Sequence, residues 1–367
     1  MSVNKSVEHL LAYGINTKPS YVFGRSIAEA KKEHGDELIR LGSNENPFGP
    51  SPKSIEAIIK AAPEANRYPD PVGFDVRTKL AEKFGLTLEN FALANGSANI
   101  MYLLSRIFVC PGDEVVVENP TFSEYKTQAV FHQGVPVVAD IPEDTYELDL
   151  DAMYKAVTDK TKLVWICNPN NPTSVAVDGD QLEAFIKKLP DHVVTIIDEA
   201  YIEFVDDPKV RSMVHLIQNY NVVILRTFSK IYGLGAMRLG YAIARKEIAD
   251  CINAHVTSFA VSRPTLDAAC AALDDQEYFK KVYEGICTGR KYLTEEFQRL
   301  GWRVYRSQTN FLYVDAGIPP MELTEKLEEK GIIIRGNFKY PRISVGTMEE
   351  NQKLVEACKE VVREMGK

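Results

Sequence analysis

The stretch Thr227-Phe-Ser-Lys-Ile-Tyr-Gly-Leu-Gly-Ala-Met-Arg238 holds the hydroxyls of Thr227 and Ser229, the amine of Lys230 and, eight residues on, the guanidinium of Arg238. Hydroxyls with a guanidinium suit a phosphate, and a lysine among them suits an aldehyde carrying that phosphate. The stretch follows an apolar run at 222–225 that reads as a buried strand. Lys230 is therefore expected in a loop at a strand's C-terminal end, the edge at which open α/β sheets bind ligands. Taken singly, the loop reads equally well as solvated surface.

Three other segments follow the same logic. Asp198 directly follows the apolar run 193–197, so its carboxylate is expected to be partly buried and to need a cationic partner, such as a protonated pyridine nitrogen. Tyr201 places a phenol three residues on; on its own, Asp198 also fits a helix N-cap. Asn168-Pro-Asn-Asn171-Pro-Thr173 follows the apolar run 163–167; it is a turn signal first, yet it presents several amides at the same edge. Asn95-Gly96-Ser97-Ala98 leads into a helical pattern, where free backbone N–H groups at a positive dipole end can cradle phosphate.

The elements that must position these segments alternate. Amphipathic helices are expected over 54–62, 76–84 and after Ser97, and short β-branched strands at 114–118, 135–139, 163–167, 193–197 and 222–225. That alternation predicts an α/β fold with a mostly parallel, doubly wound sheet. Beyond about residue 260 the pattern changes to long amphipathic helices enclosing short strands at 303–305, 311–314 and 343–345, a smaller α+β domain. We therefore expect an N-terminal arm over 1–35, a large domain over 36–260 and a small domain over 261–367.

Composition excludes several classes. The 367 residues carry 43 Lys plus Arg against 51 Asp plus Glu, a net charge of −8, which disfavours nucleic acid and anionic membrane surfaces as partners. No apolar run approaches the roughly 20 residues that cross a bilayer, and the first residues lack a signal-peptide core. The six cysteines never form a C-x-x-C pair and the six histidines never form H-E-x-x-H, so no metal centre or disulfide framework is expected and reduced thiols in a cytoplasm are.

Together, Asn171-Pro-Thr, Asp198-x-x-Tyr201, Ser229-Lys230 and Arg238 resemble the signature of fold-type I pyridoxal-phosphate aminotransferases, the aspartate aminotransferase-like class. Within it, Leu41-Gly-Ser-Asn-Glu-Asn-Pro-Phe-Gly-Pro-Ser-Pro52, Asn66-Arg-Tyr-Pro-Asp70, Pro120-Thr-Phe-Ser-Glu-Tyr125 and Ser307-Gln-Thr-Asn-Phe311 resemble the histidinol-phosphate aminotransferase branch. The resemblance runs from about Tyr21 to the C-terminus.

It implies that pyridoxal 5′-phosphate is held on Lys230 as a Schiff base, and that Lys230 also shuttles the proton. By the same resemblance Asp198 keeps the pyridine nitrogen protonated, Tyr201 and Asn171 bond the ring hydroxyl, and Phe122 stacks on the ring. Gly96, Ser97, Ala98, Thr227, Ser229 and Arg238 hold the phosphate, helped by Tyr68 from the neighbouring subunit of a homodimer. Tyr21, Asn46, Arg335 and Arg342 are implied to contact the substrate. The implied partners are an amine donor, histidinol phosphate, and the 2-oxo acid acceptor 2-oxoglutarate. Departures from the branch are Phe122 in place of tyrosine, Ala98-Asn99 in place of an acidic pair, and Ser174 in place of glycine. They leave the chemistry intact and bear on the substrate. An aromatic-amino-acid aminotransferase is the alternative, with a decarboxylase or racemase on the same scaffold behind it.

Overall fold

Twelve short strands organise the protein among the residues described by the computed structural model, which cover 38–366 and a few isolated positions before them. Tyr21 and the rest of the expected arm lie outside the described residues. The strands are β1 (Ile39–Arg40), β2 (Phe91–Ala94), β3 (Glu114–Asn119), β4 (Val135–Asp140), β5 (Thr161–Cys167), β6 (Val194–Asp198), β7 (Val222–Thr227), β8 (Gly240–Ala244), β9 (Arg303–Val304), β10 (Phe311–Asp315), β11 (Ile332–Ile333) and β12 (Arg342–Ser344).

Seven of them form one sheet in the order β2-β8-β7-β6-β5-β3-β4. The pairings among β3 to β7 are parallel, whereas β8 runs antiparallel to both neighbours. The fold is thus the mostly parallel α/β sheet that the alternation predicts. Its inner strands, β5 to β8, are apolar on both faces because both are covered. In β5, Leu163, Trp165 and Cys167 enter one apolar cluster while Val164 and Ile166 enter another; Val223 and Leu225 of β7 divide from Val222 and Ile224 in the same way. Strand periodicity of two puts alternate residues on opposite faces, so each strand stitches two cores together.

Two strands of this sheet, β2 and β8, are missing from the expected set. Their sequences, Phe-Ala-Leu-Ala and Gly-Tyr-Ala-Ile-Ala, are rich in residues with weak strand preference, and burial between neighbours makes them strands.

The later elements build a three-stranded antiparallel sheet, β12-β10-β9, flanked by the long helices Gln276–Arg299 and Met348–Glu364. A further pairing joins β1 to β11 in parallel, and Ser344 N–H donates to Leu41 O at 2.8 Å. The segment before Ser43 is thereby gripped by the C-terminal elements.

Candidate active site

The C-terminal ends of β5, β6 and β7 lie side by side, with Cys167 in register with Asp198 and Asp198 with Leu225. The chain leaving each strand therefore reaches one edge. After β7, Phe228, Ile231 and Tyr232 are buried and pin the loop that carries Ser229 and Lys230. The turn at Gly233 has φ +68° and lies so near the Gly49 carbonyl that a Cβ would sit 2.2 Å away, which leaves room only for glycine. Thr227 Oγ1 accepts from Ser229 N at 3.0 Å and shapes the start of the loop.

The Arg238 guanidinium meets the start of the helix Ser97–Phe108. Gly96 there has φ +83°, and a Cβ on it would lie 2.4 Å from Arg238 Nη2. A Cβ on Gly240 of β8 would lie 2.3 Å from Ser97 N. Two glycines thus allow helix terminus, strand and guanidinium to converge. The result is a cradle of N–H groups, hydroxyls and positive charge suited to a phosphate.

Asp198 closes β6 and is 4 % exposed. Its Oδ2 accepts from Tyr125 Oη at 2.7 Å and its Oδ1 from Ala200 N at 3.1 Å. Burial pushes its carboxyl up to about 6, against the opposing effect of those two bonds. Tyr201 stands edge-on to Phe311, ring centres 5.0 Å apart, and its oxygen accepts from Asn44 Nδ2 at 3.1 Å. Lys230 Nζ donates to the carbonyls of Asn44 at 3.1 Å and Ser43 at 3.3 Å. Burial, with the nearby Arg342 cation, brings this amine down to about 8.

These groups enclose one cavity of about 210 Å³. Ser97, Ala98, Thr227, Ser229 and Arg238 line its anion-binding end; Asp198, Tyr201, Lys230, Asn171, Phe122 and Arg342 line the rest. Arg342 is buried, donates from Nη1 to Asn171 Oδ1 at 2.6 Å and from Nη2 to Gly42 O at 2.8 Å, and lies over the rings of Phe311 and Phe338.

Three of the expected residues sit elsewhere. Asn46 does not line this cavity: its amide donates to Ile231 O and accepts from Phe48 N, both at 2.9 Å, so it shapes its own loop. Arg335 is buried beside the cavity, backbone-bridged to Arg342, with its Nε on Asn337 Oδ1 at 2.6 Å. Tyr68 is 82 % exposed and stacks on Phe259 at 4.6 Å. Tyr21 lies outside the described residues.

The structure also adds residues. Tyr125 and Asn44 contact the central groups, yet each sits in a segment where a neighbour, Phe122 or Asn46, carried the expectation. Glu118 is buried, accepts from Cys167 N at 2.7 Å and Thr121 Oγ1 at 3.0 Å, and is pushed up to about 7 by burial. It ties the Phe122 loop to the end of β5. Behind the Lys230 loop, buried Arg226 bridges Glu199 at 2.7 Å and Glu203 at 2.9 Å.

The family model "Aminotransferase class I and II" matches residues 36–358. The chain belongs to that family. This aminotransferase is 40 % identical over 351 residues to the histidinol-phosphate aminotransferase of Brevibacillus brevis, covering 94 % of this chain and 96 % of that one. The crystal structure of histidinol-phosphate aminotransferase from Sinorhizobium meliloti, solved in complex with pyridoxal-5′-phosphate, superposes with a TM-score of 0.86 at 29 % identity, covering 94 % of this chain and 96 % of that one. A double mutant of the Thermus thermophilus aspartate aminotransferase shares the fold, with a TM-score of 0.81 at 24 % identity over 93 % of this chain and 97 % of that one.

The enzyme is a pyridoxal-phosphate-dependent transaminase, and its cavity fits that cofactor on its own chemistry. The Gly96 cradle suits the phosphate, the buried carboxylate of Asp198 suits a protonated ring nitrogen, and the half-buried face of Phe122 suits a planar ring. An amine held near 8 is the remaining requirement, and Lys230 supplies it.

Proposed function

We propose that this aminotransferase moves the amino group of histidinol phosphate onto 2-oxoglutarate. The observation that carries the reading is the full-length similarity to histidinol-phosphate aminotransferases, with two guanidinium-bearing residues bridged to each other at the cavity. Histidinol phosphate presents a phosphate where an amino acid presents a carboxylate, so one anion site must accept both. Arg342 faces the cavity and Arg335 stands beside it.

The geometry supports a role for each residue. Arg238, Ser229, Thr227 and the N–H groups of Ser97 and Ala98 would hold the cofactor's phosphate. Asp198 would hold a proton on the ring nitrogen, while Tyr125 keeps the carboxylate oriented. Phe122 would cover the ring, and Tyr201 and Asn171 would bond its hydroxyl oxygen. Pyridoxal phosphate, when bound, supplies an aldehyde for the donor's nitrogen and a ring that draws electrons from its Cα. Lys230 would take the Cα proton and return it at the cofactor's C4′, two atoms along, which requires an amine that is neutral for a sizeable fraction of the time near pH 8. Arg342 orients first the donor's anion and then the carboxylate of the 2-oxo acid.

We also propose a homodimer. Tyr68, Val72, Phe74 and Phe259 expose a patch of large apolar side chains that a second copy would cover, bringing Tyr68 towards the neighbour's phosphate cradle. Six free cysteines fit a reducing cytoplasm, where we place the enzyme. Among the described residues no helix is long and apolar enough to cross a membrane. The second reading, an aromatic-amino-acid aminotransferase, is favoured by Phe338 over Arg342 and by the tyrosine cluster of Tyr146, Tyr305, Tyr313 and Tyr340 behind it. Mass spectrometry of the products from histidinol phosphate and 2-oxoglutarate tests the proposal: imidazole acetol phosphate and glutamate support it, and unreacted donor refutes it.

A further inference from the structure

Asn44 touches both central groups of the site. It is 1 % exposed and adopts φ +54°, a left-handed conformation that asparagine tolerates better than most residues. Its backbone carbonyl accepts from Lys230 Nζ at 3.1 Å and from Asn310 Nδ2 at 3.1 Å. Its side-chain Nδ2 donates to Tyr201 Oη at 3.1 Å.

The direction of that last bond is dictated by Ser344. Asn44 N–H donates to Ser344 Oγ at 2.9 Å, so the serine's own proton is left for the Asn44 side chain, whose Oδ1 lies 3.1 Å away. The Asn44 carbonyl oxygen therefore faces the serine and its NH₂ faces the phenol. A phenol has one proton. With its oxygen already accepting from Asn44, the Tyr201 proton must point elsewhere, and Tyr201 lines the cavity.

We propose that Asn44, held by Ser344, is a positioning residue that aims the Tyr201 hydroxyl proton into the cofactor site. The inference rests on the reading of Tyr201 as a donor to the cofactor's ring hydroxyl oxygen. It adds a link between the two units: Ser344 is two residues from Arg342 on β12, and Arg342 also holds Gly42, two residues before Asn44. Hydrogen bonds thus join the anion-binding strand to the segment that carries the proton-aiming amide.

The test uses the purified holoenzyme and reads the pH at which the bound cofactor's absorption band changes. A hydrogen bond donated to the ring oxygen stabilises its anionic form, so losing that bond moves the transition to higher pH. Four proteins are compared: the parent, Tyr201→Phe, Asn44→Gly and Ser344→Ala. Glycine adopts φ +54° without strain and keeps the carbonyl that faces Lys230, so only the amide is lost.

The expected result is an upward move of about one pH unit in Tyr201→Phe. At least half of that move is expected in Asn44→Gly, with a smaller one in the same direction for Ser344→Ala. A moved band in Tyr201→Phe with an unmoved band in Asn44→Gly overturns the role of Asn44. An unmoved band in Tyr201→Phe itself overturns the reading of Tyr201 and the inference with it. If Asn44→Gly does not fold, Ser344→Ala decides by the same criterion, an unmoved band being the overturning result.

Discussion

Tyr125 donates its phenolic proton to Asp198 Oδ2 over 2.7 Å while its ring lies flat on Trp165, 4.7 Å between centres. The stacked indole fixes the phenol, and the phenol fixes the carboxylate. A buried carboxylate needs such a donor, because without one its charge is costly in an apolar setting. Even so, burial keeps Asp198 near 6 in the cofactor-free site.

That value has a sign. Below about 6 the empty site holds a proton on Asp198, which must leave before the carboxylate can face a protonated ring nitrogen. Cofactor affinity should therefore fall as pH drops through about 6, by roughly tenfold per unit. Titrating cofactor binding between pH 5 and 8 in the parent and in Asp198→Asn checks this. The variant should lose this component of the slope, and parallel curves would remove Asp198 from the ring-nitrogen role. Asp198→Ala should retain little transaminase activity.

Lys230 is predicted to be the residue that bonds the cofactor. Borohydride reduction of the holoenzyme followed by peptide mapping should place the cofactor on Lys230. A label on any other lysine contradicts the assignment, and Lys230→Ala should lose essentially all turnover.

Gly96→Ala tests the phosphate cradle. The new methyl group would lie 2.4 Å from Arg238 Nη2 at a backbone φ of +83°, so the guanidinium must move. A loss of about 1–3 kcal/mol in stability is expected from backbone strain. Cofactor affinity should weaken at least about tenfold, the loss of roughly one charge-assisted bond. Unchanged cofactor affinity would place the phosphate elsewhere.

A composite dimer site makes its own prediction. Subunits carrying Lys230→Ala and subunits carrying Tyr68→Ala should each be impaired alone, and mixed dimers should regain one intact site. No recovery on mixing, or a fully active monomer by light scattering, would contradict a shared site.

Much of this was legible in the residues. The apolar runs 193–197 and 222–225 pointed to buried strands, and the chemistry-bearing residues after them pointed to the edge of the candidate site. Strands such as β2 and β8 were hidden because alanine and glycine carry little preference of their own. The pairing of β1 with β11 depends on contacts nearly 300 residues apart, which no local pattern encodes. Asn44 and Asn46 show the same limit at the site. Both are asparagines in one turn, and only the backbone at Asn44, φ +54°, decides which amide meets Tyr201, 157 residues away. Arg335 has the residue type for an anion site, but the bridge that sets it beside Arg342 turns its Nε to Asn337.

The central claim is the donor, and kcat/KM for histidinol phosphate against phenylalanine, both with 2-oxoglutarate, measures it. The parent should prefer histidinol phosphate. In Arg335→Ala, histidinol phosphate should lose about tenfold to a hundredfold, as expected for one charge-assisted bond to an anion, and phenylalanine should lose less. A parent that prefers phenylalanine or tyrosine would contradict the account and leave the aromatic-amino-acid reading in its place.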